Sequence, residues 1–379
     1  MFERFKFWLI LLIALLLLIY TVPAQSITNY VSYAFSSKNG LNLNISLVNP
    51  EVKMLAADPA NQLILKVEVR NATGAPVPKA HVVFTTSGNM GQVYPSSIRT
   101  DKNGESLVSY IPPASSGETL KNGNTPITIR ANIYGTKISS SVQVELTKVP
   151  VIFLHGYNAA GYIFDNMKEY LSGFGYEGSA LEYKSQDGIV VSSKELSSFL
   201  QEQKILYLNK GIQVKKFDLV AHSMGGLVAR YYTCSEEYIK NNDVRKLIFI
   251  SVPHRGSLWA SIGAGYYNDQ GVRDLIPDNP LLSKTLPAML NKGLNHMIQV
   301  GSILGQYDEV VTPESANLDQ WNIKTEVYNV GENNLTMGNL LSGNLLQTAN
   351  HGTILNNKKV FERIASMLGE DLPYPAIKK

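Results

Sequence analysis

Two kinds of apolar patterning in one chain predict an α/β domain, with a mostly parallel sheet covered by helices on both faces, preceded by an all-β sandwich. From about Ser26 to Leu146 apolar residues alternate in short runs broken by turns. From Val149 onward short continuous apolar runs are separated by longer stretches at helical spacing. A chain of 379 residues, 44% of them hydrophobic, is long enough to build a core for each part. The net charge of +3 has no dense Lys/Arg window behind it, which argues against a nucleic-acid partner.

The chain opens MFERFKFWLILLIALLLLIYTVPAQS, with Arg4 and Lys6 ahead of an apolar run and Val22-Pro23-Ala24 after it. That order predicts a secretory signal over residues 1–24, or, if uncleaved, a membrane anchor. Either reading gives a secreted or extracytoplasmic address, with membrane or cell-surface association open through this segment or the β domain. The single cysteine, Cys234, has no disulfide partner within the chain and reads as a buried spectator.

Residues 26–147 supply the sandwich. Leu63, Leu65, Val67 and Val69 alternate in QLILKVEVRN, and a Gly/Pro turn leads to HVVF. SLVSYI, PITIRANIY and KISSSVQVELT complete a series of short strands with no helical period between them. His81 is a lone surface histidine there, without the companions a metal site needs.

Residues 149–379 supply the α/β domain. VPVIFLH, GSALEY, FDLVA, KLIFISV, MIQVGSI and TEVYNV read as strands, and IFDNMKEYL, SSKELSSFLQEQKILYL and NKKVFERIASML as helices. In FDLVAHSMGGLVARYY a strand ends at Ala221 and a helix begins almost at once, with Ser223 at the turn. Such a turn lifts a serine oxygen above the sheet and needs small flanking residues, here Ala221 and Gly225. The plainer reading, a serine N-cap, accounts for Ser223 but not for the preceding strand. Of the six histidines only His351 follows every plausible acid of the C-terminal third, in a loop before the final helix. It is the candidate general base, a structural histidine being the alternative. His155 reads as a loop brace, the turn is expected to point His222 elsewhere than a base would, and His254 and His296 come too early in the chain.

The first part resembles bacterial Ig-like domains, through VEVRNATGAPVPKAHVVFTTSGN and TDKNGESLVSYIPP. The second resembles the α/β-hydrolase superfamily, in its lipase and GPI-inositol-deacylase-like esterase branch. Besides the elbow, HGYNAAG, SVPHRGS and GVRDLIPDNPLLSKTL resemble motifs of that branch, with departures at Ala221, Val252, Asn279 and Leu281. The resemblance implies an acyl-transfer triad of Ser223, Asp308 and His351, Asp308 standing past the end of MIQVGSI, with a turn-capping role as the alternative. Glu309 is expected to point away, and Glu314 and Glu332 are weaker acids. It also implies oxyanion donors at the backbone N–H groups of Tyr157 and Met224, and no metal or cofactor. Residues 255–295 are expected to cap the pocket, with Trp259, Tyr266 and Tyr267 candidates for an acyl groove and plain core packing the favoured alternative for each aromatic taken singly. The function so implied is a secreted serine carboxylesterase or lipase acting on a lipid or medium-chain ester. The alternatives are an acyltransferase of the same fold and a surface binding or adhesion protein with an inactive hydrolase domain.

Overall fold

The computed structural model describes residues 40–114, 120, 123–329 and 349–378. The signal or anchor segment and Glu332 lie outside the described residues. The chain divides into two compact units that interleave in sequence, rather than meeting at one boundary near Thr147. The first takes the described residues up to Pro50, with Gln62–Ile111 and Ile127–Gln143. The second takes Glu51–Asn61, Pro112–Pro126 and the chain from Val144.

Among the described residues up to Thr147 the strands are β1 (Leu41–Leu47), β2 (Met54–Ala56), β3 (Leu63–Asn71), β4 (His81–Thr86), β5 (Gln92–Tyr94), β6 (Ser97–Arg99), β7 (Glu105–Ile111), β8 (Thr125–Ile133) and β9 (Ser139–Thr147). In the first unit β1, β3, β7 and β5 form an antiparallel sheet in that order, and β4 pairs antiparallel with β6 and β8. The alternation seen in the sequence becomes a buried face: Leu63, Leu65, Val67 and Val69 are buried, as are Ile127, Ile129 and Ala131. The turn after β6 is tied by the Asp101 carboxylate, which accepts from the N–H groups of Asn103 and Glu105.

Glu51–Asn61 groups with the second unit through long-range bonds that no local pattern announces. The N–H groups of Lys53 and Met54 donate to the Gly211 carbonyl, and Lys215 N–H donates to the Asn61 side chain at 2.9 Å. β2 runs parallel to the end of β9 and to β12 (Ile212–Gln213).

The second unit is built on β10 (Val151–Leu154), β11 (Gly178–Leu181), β13 (Phe217–His222), β14 (Val244–Ile250), β15 (Gln299–Gly305) and β16 (Thr325–Tyr328). They form one parallel sheet in the order β11-β10-β13-β14-β15-β16. The longer helices are α1 (Asp165–Ser172), α2 (Ile189–Asn209), α3 (Met224–Thr233) and α4 (Glu236–Asn241), with a last helix at Lys358–Gly369. Successive strand residues serve opposite faces: Leu219 and Ala221 pack with Leu196, Leu200, Leu227 and Val228 of α2 and α3. Val220, between them, packs with Met167 and Leu171 of α1 and Val360 and Ile364 of the last helix. Burial on both faces is why these strands are continuous apolar runs in the sequence. β10 lies between β11 and β13, so the strand order reverses there, and the carboxyl ends of β10 and β13 open on the crevice where such sheets hold ligands.

Candidate active site

At the end of β13 the backbone turns sharply at Ser223, which has φ 53° and ψ −128°. A non-glycine residue at positive φ is strained, and the strain is absorbed by the elements on either side. Ser223 N–H donates to the Ile250 carbonyl at 3.0 Å, and its own carbonyl accepts from Gly226 at 3.0 Å, so the turn is locked to β14 and to α3. α3 begins so close to β10 that a Cβ on Gly225 would stand 2.5 Å from the His155 carbonyl oxygen. Only hydrogen fits there. Ala221, one position before His222, is fully buried, and its methyl belongs to the core beneath α3.

Ser223 Oγ lies 3.0 Å from His351 Nε2, and His351 Nδ1 lies 2.9 Å from Asp308 Oδ2 and 3.1 Å from Oδ1. A hydroxyl donating to Nε2 requires the proton of the neutral imidazole to sit on Nδ1, where the carboxylate accepts it. Asp308 Oδ1 also accepts from the N–H groups of Val310 and Val311, so this side chain both caps its turn and faces the imidazole. Burial pushes the Asp308 carboxyl up, but the charge and hydrogen bond of His351 outweigh it and leave the group below its ordinary value. Burial likewise disfavours the His351 cation, and here Asp308 first and Glu309 second reverse the sign and raise the imidazole above its ordinary value.

The segment after β10 packs against this group. Gly156 is in van der Waals contact: a Cβ on it would be 2.9 Å from Ser223 Cβ and 3.4 Å from Oγ. His155 is stacked on Tyr183 with ring centroids 4.2 Å apart, and Tyr183 OH donates to the His155 carbonyl. Asn158 N–H donates to Ser185 Oγ at 2.8 Å. Tyr157 sits between these fixed points, its phenol donating to Asp269 at 2.6 Å. Among the described residues, no acceptor within the protein takes the backbone N–H of Tyr157 or of Met224.

Two further side chains reach the segment that carries His351. His222 turns toward the imidazole of His351, its Nε2 donating to the His351 carbonyl at 2.9 Å. Glu309 does not point away: its Oε1 faces the N–H groups of Asn350 and His351 at 3.3 and 3.5 Å. The His222 contact joins segments 129 residues apart, and the Glu309 contact segments about forty residues apart. Neither carries a local signal.

The region 255–295 contains α5 (Leu258–Gly263), α6 (Gln270–Asp274) and a helical turn over Leu281–Thr285. It is held by leucines and valines, with Val272, Leu275, Leu282 and Leu286 in the same core as β13. Trp259 is half-buried and donates through Nε1 to the Glu309 carbonyl. Of the two tyrosines, Tyr266 is 83% exposed and Tyr267 is 44% exposed, its ring meeting that of Tyr157 edge-on. Cys234 is buried, and burial pushes its thiol up to about 12, far from a nucleophile's range.

A family model described as the PGAP1-like alpha/beta domain matches residues 183–329, a span that includes Ser223 and Asp308. The matched span falls within the second unit and covers its sheet from β13 to β16. Tyr157 and His351 stand outside the matched span of the PGAP1-like domain, on either side of it. Among solved structures, the chain is similar to Bacillus licheniformis lipase BlEst2 in mature form, at 16% identity and a TM-score of 0.44 over 59% of this chain and 92% of that one. It is also similar to phospholipase PlaB from Legionella pneumophila in complex with thio-NAD, at 15% identity and a TM-score of 0.38 over 58% and 62%. The D0-D1 domain of intimin gives 18% identity and a TM-score of 0.23 over 29% of this chain; the chain spans 49% of that structure's length.

Proposed function

We propose that the PGAP1-like domain is a serine carboxylic ester hydrolase, on the strength of the line Ser223 Oγ, His351 Nε2, His351 Nδ1, Asp308 Oδ2, each step a hydrogen-bond length. His351 takes the Ser223 proton as Oγ adds to the ester carbonyl. Asp308 holds the imidazole in the tautomer that can do this and stabilises the cation that forms. The oxyanion is met by the N–H groups of Tyr157 and Met224, for which no acceptor stands among the described residues. His351 then protonates the leaving alcohol, and water, activated by the same imidazole, releases the acid from the acyl-enzyme. No step requires a metal or a cofactor. The apolar composition of residues 255–295 supports a lipid or medium-chain ester as the substrate, and the N-terminal sequence supports secretion.

The test is hydrolysis of a chromogenic ester series from acetyl to palmitoyl by the full chain and by Ser223→Ala. The expected result is turnover extending beyond short acyl groups, lost by about 10³-fold or more in the variant. Equal rates in both proteins would refute serine catalysis. Hydrolysis confined to acetyl esters would refute the lipid reading, and ester formation outrunning acid release with an added alcohol would make the protein an acyltransferase.

A further inference from the structure

The candidate base has to stay within a hydrogen bond of Ser223, yet the short helix that carries it has little of its own to fix it. That helix spans only Ala349–Thr353; Gly352 and Thr353 are exposed, and Gly352 has open space around it. So short a helix has no stability in isolation. Among the described residues, polar contacts at Asn350 and His351 tie it down. Asn350 Nδ2 donates to the Tyr307 carbonyl at 2.9 Å. Glu309 Oε1 faces the N–H groups of Asn350 and His351, and His222 Nε2 meets the His351 carbonyl at 2.9 Å.

We propose that His222 and Glu309 are positioning residues that grip the His351 peptide at its two ends, carbonyl and amide, and so set the reach of Nε2 to Ser223 and of Nδ1 to Asp308. Nε2 of His222 faces a carbonyl and must be the donor, so the neutral ring carries its proton there. The ring is 5% exposed; burial first, and then the neighbouring His351, push its pKa down to about 3. The donor therefore stays in one protonation state wherever a serine hydrolase would operate. Glu309 makes two separable contributions: an acceptor for the peptide, and a negative charge that favours the His351 cation. The charged and titratable groups facing His351 are Asp308, Glu309 and His222, with His155 behind His222.

The kinetic consequence rests on the esterase reading, and the structural one does not, so the experiment reads both. The first readout is the downfield proton resonance of His351 Nδ1–H in the full chain, assigned by its loss in His351→Gln. The second is ester hydrolysis. His222→Leu and Glu309→Leu should broaden or abolish the resonance and lower kcat by about 10²-fold with KM unchanged, as expected for a displaced base. His222→Gln, which keeps a donor near Nε2, and Glu309→Gln, which keeps the acceptor, should restore the resonance and most of kcat. Glu309→Gln should in addition move the acid limb of the pH profile to lower pH. The proposal is overturned if both leucine variants keep the resonance and kcat, or if glutamine and leucine variants lose them alike with a fallen melting temperature. Should the parent protein show the resonance but hydrolyse no ester, the esterase reading fails while the resonance in the variants still decides the grip.

Discussion

Asp308 and His351 shift each other's protonation in opposite directions, and the signs fix a pH dependence. The base must be neutral to accept the Ser223 proton, and its folded pKa lies above the ordinary 6.5. Activity should therefore fall as pH drops through a value above 6.5, rather than below it. Asp308→Asn removes the chief cause of that elevation and disfavours the Nδ1–H tautomer. It should move the acid limb to lower pH and reduce kcat by about 10⁴-fold, read from kcat/KM against pH for both proteins. An unmoved acid limb would mean that another group sets it. At this scale Ser223, Asp308 and His351 were legible because each sits at a marked place in the chain: a strand-to-helix turn, a strand end and a loop before the last helix. His222 and Glu309 were not. They stand beside marked residues, and only the folded path of the chain decides which way a neighbour points.

Among the elements, the β13–turn–α3 unit is the most sharply constrained, because a strand, a strained serine and a helix start must meet the end of β10. Gly225 is where this shows. Its added methyl would stand 2.5 Å from one backbone oxygen and 2.6 Å from another, neither of them able to rotate away. Gly225→Ala should cost about 1–3 kcal/mol, measured by chemical denaturation, and should lower activity more than stability, because the displaced elements carry Ser223 and the loop of Tyr157. A variant as stable and active as the parent would contradict this packing. Ala221, by contrast, reads as a residue the turn tolerates: its methyl points into the core, where it has neighbours to meet. The region between β14 and β15 was the least legible. Its helices are five and six residues long, too short to show a period, so the sequence alone does not say which of its bulky residues face the core. The structure buries the leucines and valines and leaves Tyr266 in solvent.

For the whole molecule, the two architectures were visible because each imposes its own periodicity: alternation where one face of a strand is buried, continuous apolar runs where both are. The limits of the units were not visible. Glu51–Asn61 groups with the second unit through pairing with residues near 145 and 212, and such pairing leaves no local mark. The proposed activity depends above all on Ser223 being a nucleophile activated by His351. The most direct measurement is reaction of the full chain with a fluorophosphonate, followed by peptide mass spectrometry. The expected result is one adduct, on Ser223, formed at a rate that falls sharply in His351→Gln. An adduct on another residue, no adduct, or a rate indifferent to His351 would contradict it.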